Sequence, residues 1–136
     1  MKKEIIMGLL IAVMLSGFVF ADDYSLPDWK DRYVNDFGGV FSAGQVGELR
    51  GLLMELESNT TAEFVVVSVG ECAPFAPSQY ANELFNKWGI GKEDKDNGLL
   101  TLYCKAENKI WVETGYGLEG ILPDSKLGAL LYEYII

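Results

Sequence analysis

The 136-residue sequence contains no histidine. That absence excludes Ser-His-Asp and Cys-His catalysis, and with them the usual nitrogen-ligated zinc or copper sites. Any metal site has to be built from oxygen ligands, which favours calcium, magnesium or manganese. Basic residues are also scarce: 11 Lys and Arg stand against 20 Asp and Glu, for a net charge of −9. Such a chain repels phosphate backbones and anionic headgroups and attracts cations or basic partners, which argues against nucleic acid as a ligand. There are two cysteines, Cys72 and Cys104, too far apart for a Cys-x-x-Cys motif. They can pair in an oxidising compartment or stand as two small buried thiols, and the spacing leaves both readings open.

Long apolar runs are nearly absent too, and the one exception lies at the start. Lys2 and Lys3 precede an uncharged run of 16 residues, 5–20, which ends at Val19-Phe20-Ala21 before Asp22-Asp23. This is the layout of a signal peptide. The run is short of the roughly 18–20 residues of a spanning helix and contains Gly8 and Gly17, so cleavage after Ala21 is favoured over a retained anchor. Removal of residues 1–21 takes away Lys2, Lys3 and Glu4 and shifts the net charge from −9 to −10. An exported protein is expected, periplasmic, extracellular or associated with the cell envelope, and held at a membrane only if the segment is retained.

Residues 22–41 show no sustained period and read as an irregular lead-in. Ser42 and Gln45 form a capping box, after which Val46, Leu49, Leu52, Leu53 and Leu56 recur at helical spacing, predicting a helix with one core face. The run EFVVVSV (63–69) reads as a strand covered on both faces. Ala81, Leu84, Phe85 and Trp88 predict a second helix beginning near Ser78, and GLLTLYC (98–104) a second buried strand. A crossover of this length suits a parallel βαβ unit, while Ile110, Trp111 and Val112 fold back as a hairpin strand, so the sheet is mixed. Asp124 or Ser125 caps a last helix through Leu127, Leu130, Leu131 and Tyr134, which runs to Ile136 with no stop signal, as if cut short. The expected fold class is α/β, with one domain over 31–136 preceded by the lead-in at 22–30 and the signal segment at 1–21.

Gly115-Tyr116-Gly117-Leu118-Glu119-Gly120 has the GxGxxG spacing, but Pro123 interrupts the helix that a dinucleotide site needs and too little chain follows. Nucleotide binding is therefore not expected; the glycines are expected to let the backbone pass close to another loop. Asp94-Lys95-Asp96-Asn97-Gly98 resembles the opening of an EF-hand, yet its glycine falls one position early and no Glu closes the loop. The loops at 89–97 and 115–124 meet the same sheet edge in this topology. Asp94, Asp96, Glu113, Glu119 and Asp124 are expected to converge there, with Asp36 approaching from the lead-in, and a shared cation would relieve their repulsion.

Tyr33-Val34-Asn35-Asp36 with Val40 and Ser42, Tyr80-Ala81 with Phe85, Trp88-Gly89-Ile90-Gly91, Asp96-Asn97-Gly98, and Glu113-Thr114 through Gly120 with Leu122 and Asp124 together resemble the TPM domain, also described as the thylakoid acid phosphatase and photosystem II repair-protein family. The resemblance spans roughly 31–136. It implies an α/β/α sandwich, divalent cation binding (calcium or magnesium) through loop carboxylates, and either weak phosphomonoester hydrolysis or non-catalytic support of membrane protein complexes. The expected metal ligands are Asp36, Asp94, Asp96, Glu119 and Asp124, and the expected catalytic carboxylates are Asp36, Asp96 and Asp124. A phosphatase would have metal polarise the phosphoryl oxygens while a carboxylate attacks or positions water. The absence of clustered Arg or Lys near the glycine loops favours the interaction role, whose partner would be a membrane protein.

Overall fold

The structure, a computed structural model, describes residues 24–123 and 125–126. Residues 1–23, which include the expected signal segment, Asp124, and the tail from Leu127 onward with most of the expected last helix lie outside the described residues. Four strands form a mixed sheet in the order β1 (Val34–Asp36), β2 (Glu63–Val69), β3 (Gly98–Cys104) and β4 (Lys109–Thr114). The first three run parallel and β4 returns antiparallel to β3. Helices α1 (Ala43–Thr60) and α2 (Pro77–Trp88) provide the crossovers. α1 packs against β1 and β2, and α2 against β3 and β4, giving an α/β/α sandwich with a βαβ unit and a hairpin.

Alternation decides which side chains meet which layer. Val65, Val67 and Val69 from β2 join Leu100 and Leu102 from β3 against Ala81 and Leu84 of α2, forming the main core. The opposite face holds a smaller cluster, Ala62, Leu99 and Leu118 with Phe64, Val112 and Leu122 against it. α1 starts as the sequence predicts: the Ser42 hydroxyl accepts from the Gln45 N–H, and the Gln45 side chain accepts from the Ser42 N–H. Its apolar stripe is not a core face, however. None of its residues is fully buried, and Leu52 is 64% exposed. The helix lies over the three-residue edge strand β1 and over β2, a part of the sheet too narrow to enclose its leucines.

The lead-in is more ordered than its composition suggests. Residues 34–36 pair in parallel with 66–68 to make β1, a strand too short to carry a readable period. Upstream of it the chain is strapped to α2. Lys87 Nζ donates to the Leu26 carbonyl (2.6 Å) and pairs with Asp28, Trp88 Nε1 donates to the Pro27 carbonyl (2.9 Å), and Leu26 packs on the main core. Cys72 and Cys104 are fully buried and joined as a disulfide. Among the described residues no helix is long and apolar enough to cross a membrane.

Candidate functional site

The parallel register fixes which loops share an end of the sheet. Asp36 stands level with Ser68 and Tyr103, whereas Gly98 stands level with Glu63. At about 3.3 Å per residue, roughly 16 Å of strand separates the two levels. Asp36 therefore lies at the carboxyl end of β1 and β2, and Asp96 at the amino end of β3. Asp36 is thereby kept from the loop that carries Asp96, because a residue ending one parallel strand cannot meet a loop that begins its neighbour.

At the carboxyl end Asp36 is held on several sides. Oδ1 accepts from the Ser68 hydroxyl and the Val40 N–H (2.9 Å), and Oδ2 accepts from the Phe41 N–H (3.1 Å). Burial pushes its pKa up, but these donors and the nearby Lys105 ammonium outweigh that and lower it. Ser68 is itself fully buried, and its oxygen also accepts the Gly38 N–H. Such a carboxylate folds the β1–α1 loop. Beside it, Glu107 accepts from the Cys72 and Ala73 N–H groups at 2.9 Å each, tying the loop after β2 to the hairpin turn.

At the amino end the loops at 92–97 and 115–119 interlock. The Gly117 N–H donates to the Asp96 carbonyl (2.8 Å), and Asp96 Oδ2 accepts the Tyr116 N–H (3.1 Å). A Cβ on Gly117 would stand 1.9 Å from the Lys95 carbonyl oxygen, and one on Gly115 would stand 2.2 Å from that of Asp96. Gly115 and Gly117 are the close-approach points expected of the motif, whereas a Cβ on Gly120 would meet nothing within 4 Å. Asn97 anchors the other side, accepting the Lys92 N–H (3.0 Å) and reaching Thr61. Asp96 is exposed and borders a groove of about 420 Å³ lined also by Asn86, Gly91, Lys92 and Glu93.

The remaining expected ligands are placed as follows. Asp94 and Glu119 are exposed on these two loops. Glu113 turns away from them, accepting from Asn82 Nδ2 (3.3 Å) on α2 and from Trp111 Nε1 (3.1 Å). Among the described residues, the one set of three acidic or thiol ligands within 4.8 Å of one another is Cys72, Cys104 and Glu107, whose sulfurs are engaged in the disulfide. Asp94, Asp96 and Glu119 are not gathered within that distance of one another; each is exposed on the two interlocked loops. Their oxygen chemistry fits a hard divalent cation that keeps much of its water shell.

Sequence reasoning missed an ion-pair network beside this end. Glu57 accepts from Arg32 Nη2 (2.6 Å), the Tyr33 hydroxyl (2.7 Å) and Lys92 Nζ, with Glu63 also near both cations. Desolvation raises the Glu57 pKa, but the three donors overcome it and pull the value down to about 2. Its donors Arg32, Tyr33 and Lys92 are 25, 24 and 35 residues from Glu57, separations that no local spacing signals. Lys95 Nζ likewise donates to Thr61 (3.0 Å), so both lysines of the acidic loop have partners.

A family model described as the TPM domain matches residues 34–136. The solution structure of the N-terminal domain of a protein from P. gingivalis is similar at 33% identity and a TM-score of 0.71, over 77% of this chain and 67% of that one. The N-terminal domain of a protein from Corynebacterium glutamicum is similar at 15% identity and a TM-score of 0.62, over 80% of this chain and 70% of that one, a likeness of fold alone. No curated protein matches the chain.

Proposed function

Because the chain belongs to the TPM domain family, we propose that it is an exported interaction module that binds a divalent cation at the amino end of its sheet and supports membrane protein complexes without catalysis of its own. The observation that carries the reading is the junction of the loops at 92–97 and 115–119. The backbones are locked by two glycines while Asp94, Asp96 and Glu119 stay exposed around them. A rigid frame with exposed carboxylates suits calcium or magnesium, and Asp124, five residues after Glu119, is a further ligand in this reading. Export is supported by the layout of residues 1–21 and by the disulfide, since such bonds persist in oxidising compartments.

Phosphomonoester hydrolysis has less behind it. Asp36 and Ser68 are engaged with each other at the other end of the sheet. Lys92 and Lys95 already pair with Glu57 and Thr61, so no free cation stands ready among the described residues of this loop to share phosphoryl charge. The test is calorimetric titration of the exported chain with calcium and with magnesium, followed by a generic phosphomonoester assay on the same sample. Saturable binding is expected, about tenfold weaker in Asp96→Asn, a loss of about 1.4 kcal/mol. It should be unchanged in Asp36→Asn, with no turnover. Metal-dependent turnover would replace this reading with the hydrolase, and the absence of binding would overturn the cation site.

A further inference from the structure

The carboxyl end of the sheet carries a feature that the cation site does not use. Phe75, in the loop after β2, and Tyr80, on α2, meet edge to face with centroids 6.2 Å apart and planes at 69°. With Tyr24 and Ser25 of the lead-in and Glu71 they line a cavity of about 180 Å³. That is below the roughly 300–1,000 Å³ typical of small-molecule sites and suits the end of a single side chain. Elsewhere the chain covers aromatic faces with its own cations: Lys30 Nζ lies 5.4 Å from the Phe37 ring and the Arg32 guanidinium 5.9 Å from Tyr33. Among the described residues no Lys or Arg lines the Phe75–Tyr80 corner and Glu71 makes no ion pair.

We propose that this corner is a binding site for the side-chain ammonium of a lysine presented by a partner protein. Ring faces attract a cation within about 6 Å through their quadrupole. Glu71 supplies the opposite charge, in a chain whose net charge of −9 draws basic partners. The Tyr80 hydroxyl and Ser25 add acceptors that a primary ammonium can use and a quaternary one cannot, which selects lysine over a choline headgroup. The walls are already set. The disulfide and the Glu107 carboxylate hold the loop at 71–75, and the lead-in is tied to α2 through Lys87 and Trp88, so little ordering cost opposes binding.

The site is independent of the cation site, so the experiment is run on the full chain in chelator. Nα-acetyl-lysine amide is titrated while the Tyr and Phe ring resonances are followed by NMR. Saturable shifts are expected at Tyr80 and Phe75 with a dissociation constant on the order of millimolar, a scale consistent with one or two cation–ring contacts. Acetylating the probe's ammonium should abolish them, and Glu71→Gln should weaken binding roughly three- to tenfold. Tyr80→Leu should do the same; because Tyr80 is half-buried, the exposed Glu71 variant decides the matter if the Leu variant does not fold. Equal binding of the acetylated probe, or no saturable shift, would overturn the proposal. Tighter binding of choline than of the lysine probe would overturn it in favour of a quaternary headgroup.

Discussion

The two ends of one small sheet hold the same residue types in opposite settings. At the carboxyl end of β1 and β2, Asp36 takes hydrogen bonds from Ser68, Val40 and Phe41, Glu107 takes two backbone donors, and both cysteines are joined. At the amino end of β3, Asp96 accepts one backbone N–H while Asp94 and Glu119 stand in solvent. A carboxylate whose oxygens are already met by donors stabilises the fold, and an exposed one on a rigid loop is available to a ligand. Charge alone therefore does not tell a binding residue from a clamp; its partners do.

Breaking the carboxyl end should cost the most stability. The disulfide spans 32 residues of chain, for which loop closure predicts about 3–4 kcal/mol. Cys72→Ala with Cys104→Ala should lower the denaturant midpoint accordingly while leaving cation binding in place, and a loss of cation binding would show that the two ends are coupled. The amino end is next. A methyl on Gly117 would meet the Lys95 carbonyl oxygen at 1.9 Å. Overpacking of this kind typically costs about 1–3 kcal/mol, and Gly117→Ala should weaken cation binding as well by forcing the two loops apart; unchanged binding would separate the interlock from the site.

Asp36→Asn should have the smallest effect, about 1 kcal/mol, since the amide oxygen keeps part of the acceptor set. Its sign with pH sharpens the contrast. The folded pKa of Asp36 lies below its ordinary value of 3.8. The stability it adds is therefore present in full above about pH 4 and is lost as pH falls through the folded value. In Asp36→Asn that part of the acid dependence should vanish from the urea midpoint measured at decreasing pH. An unchanged acid profile would mean that Asp36 is not the clamp described here.

Much of the fold was legible in local patterns. The Ser42–Gln45 capping box, the two buried strands and the amphipathic period of α2 each lie within a few residues, where propensity and alternation act. Gly115 and Gly117 are legible as points of close approach too, because a site that only hydrogen can occupy leaves a glycine in the sequence. What escaped notice was long-range. β1 is three residues long and exists because β2 offers it a partner. The Glu57 network draws on Arg32 and Lys92, and the Phe75–Tyr80 corner needs a lead-in that looked irregular.

The carboxylates mark the boundary between the two kinds of information. Composition alone determined that any metal here is held by oxygen, since histidine is absent and the two cysteines are too few for a thiolate cage. The strand and helix periods determined an α/β domain with a mixed sheet. Which end of the sheet each acidic residue occupies was decided by register. Parallel pairing places Asp36 beside Ser68 and sends Asp96 to the far end, and a side chain's neighbours across a sheet are set by hydrogen bonds between strands that the order of residues along the chain does not record.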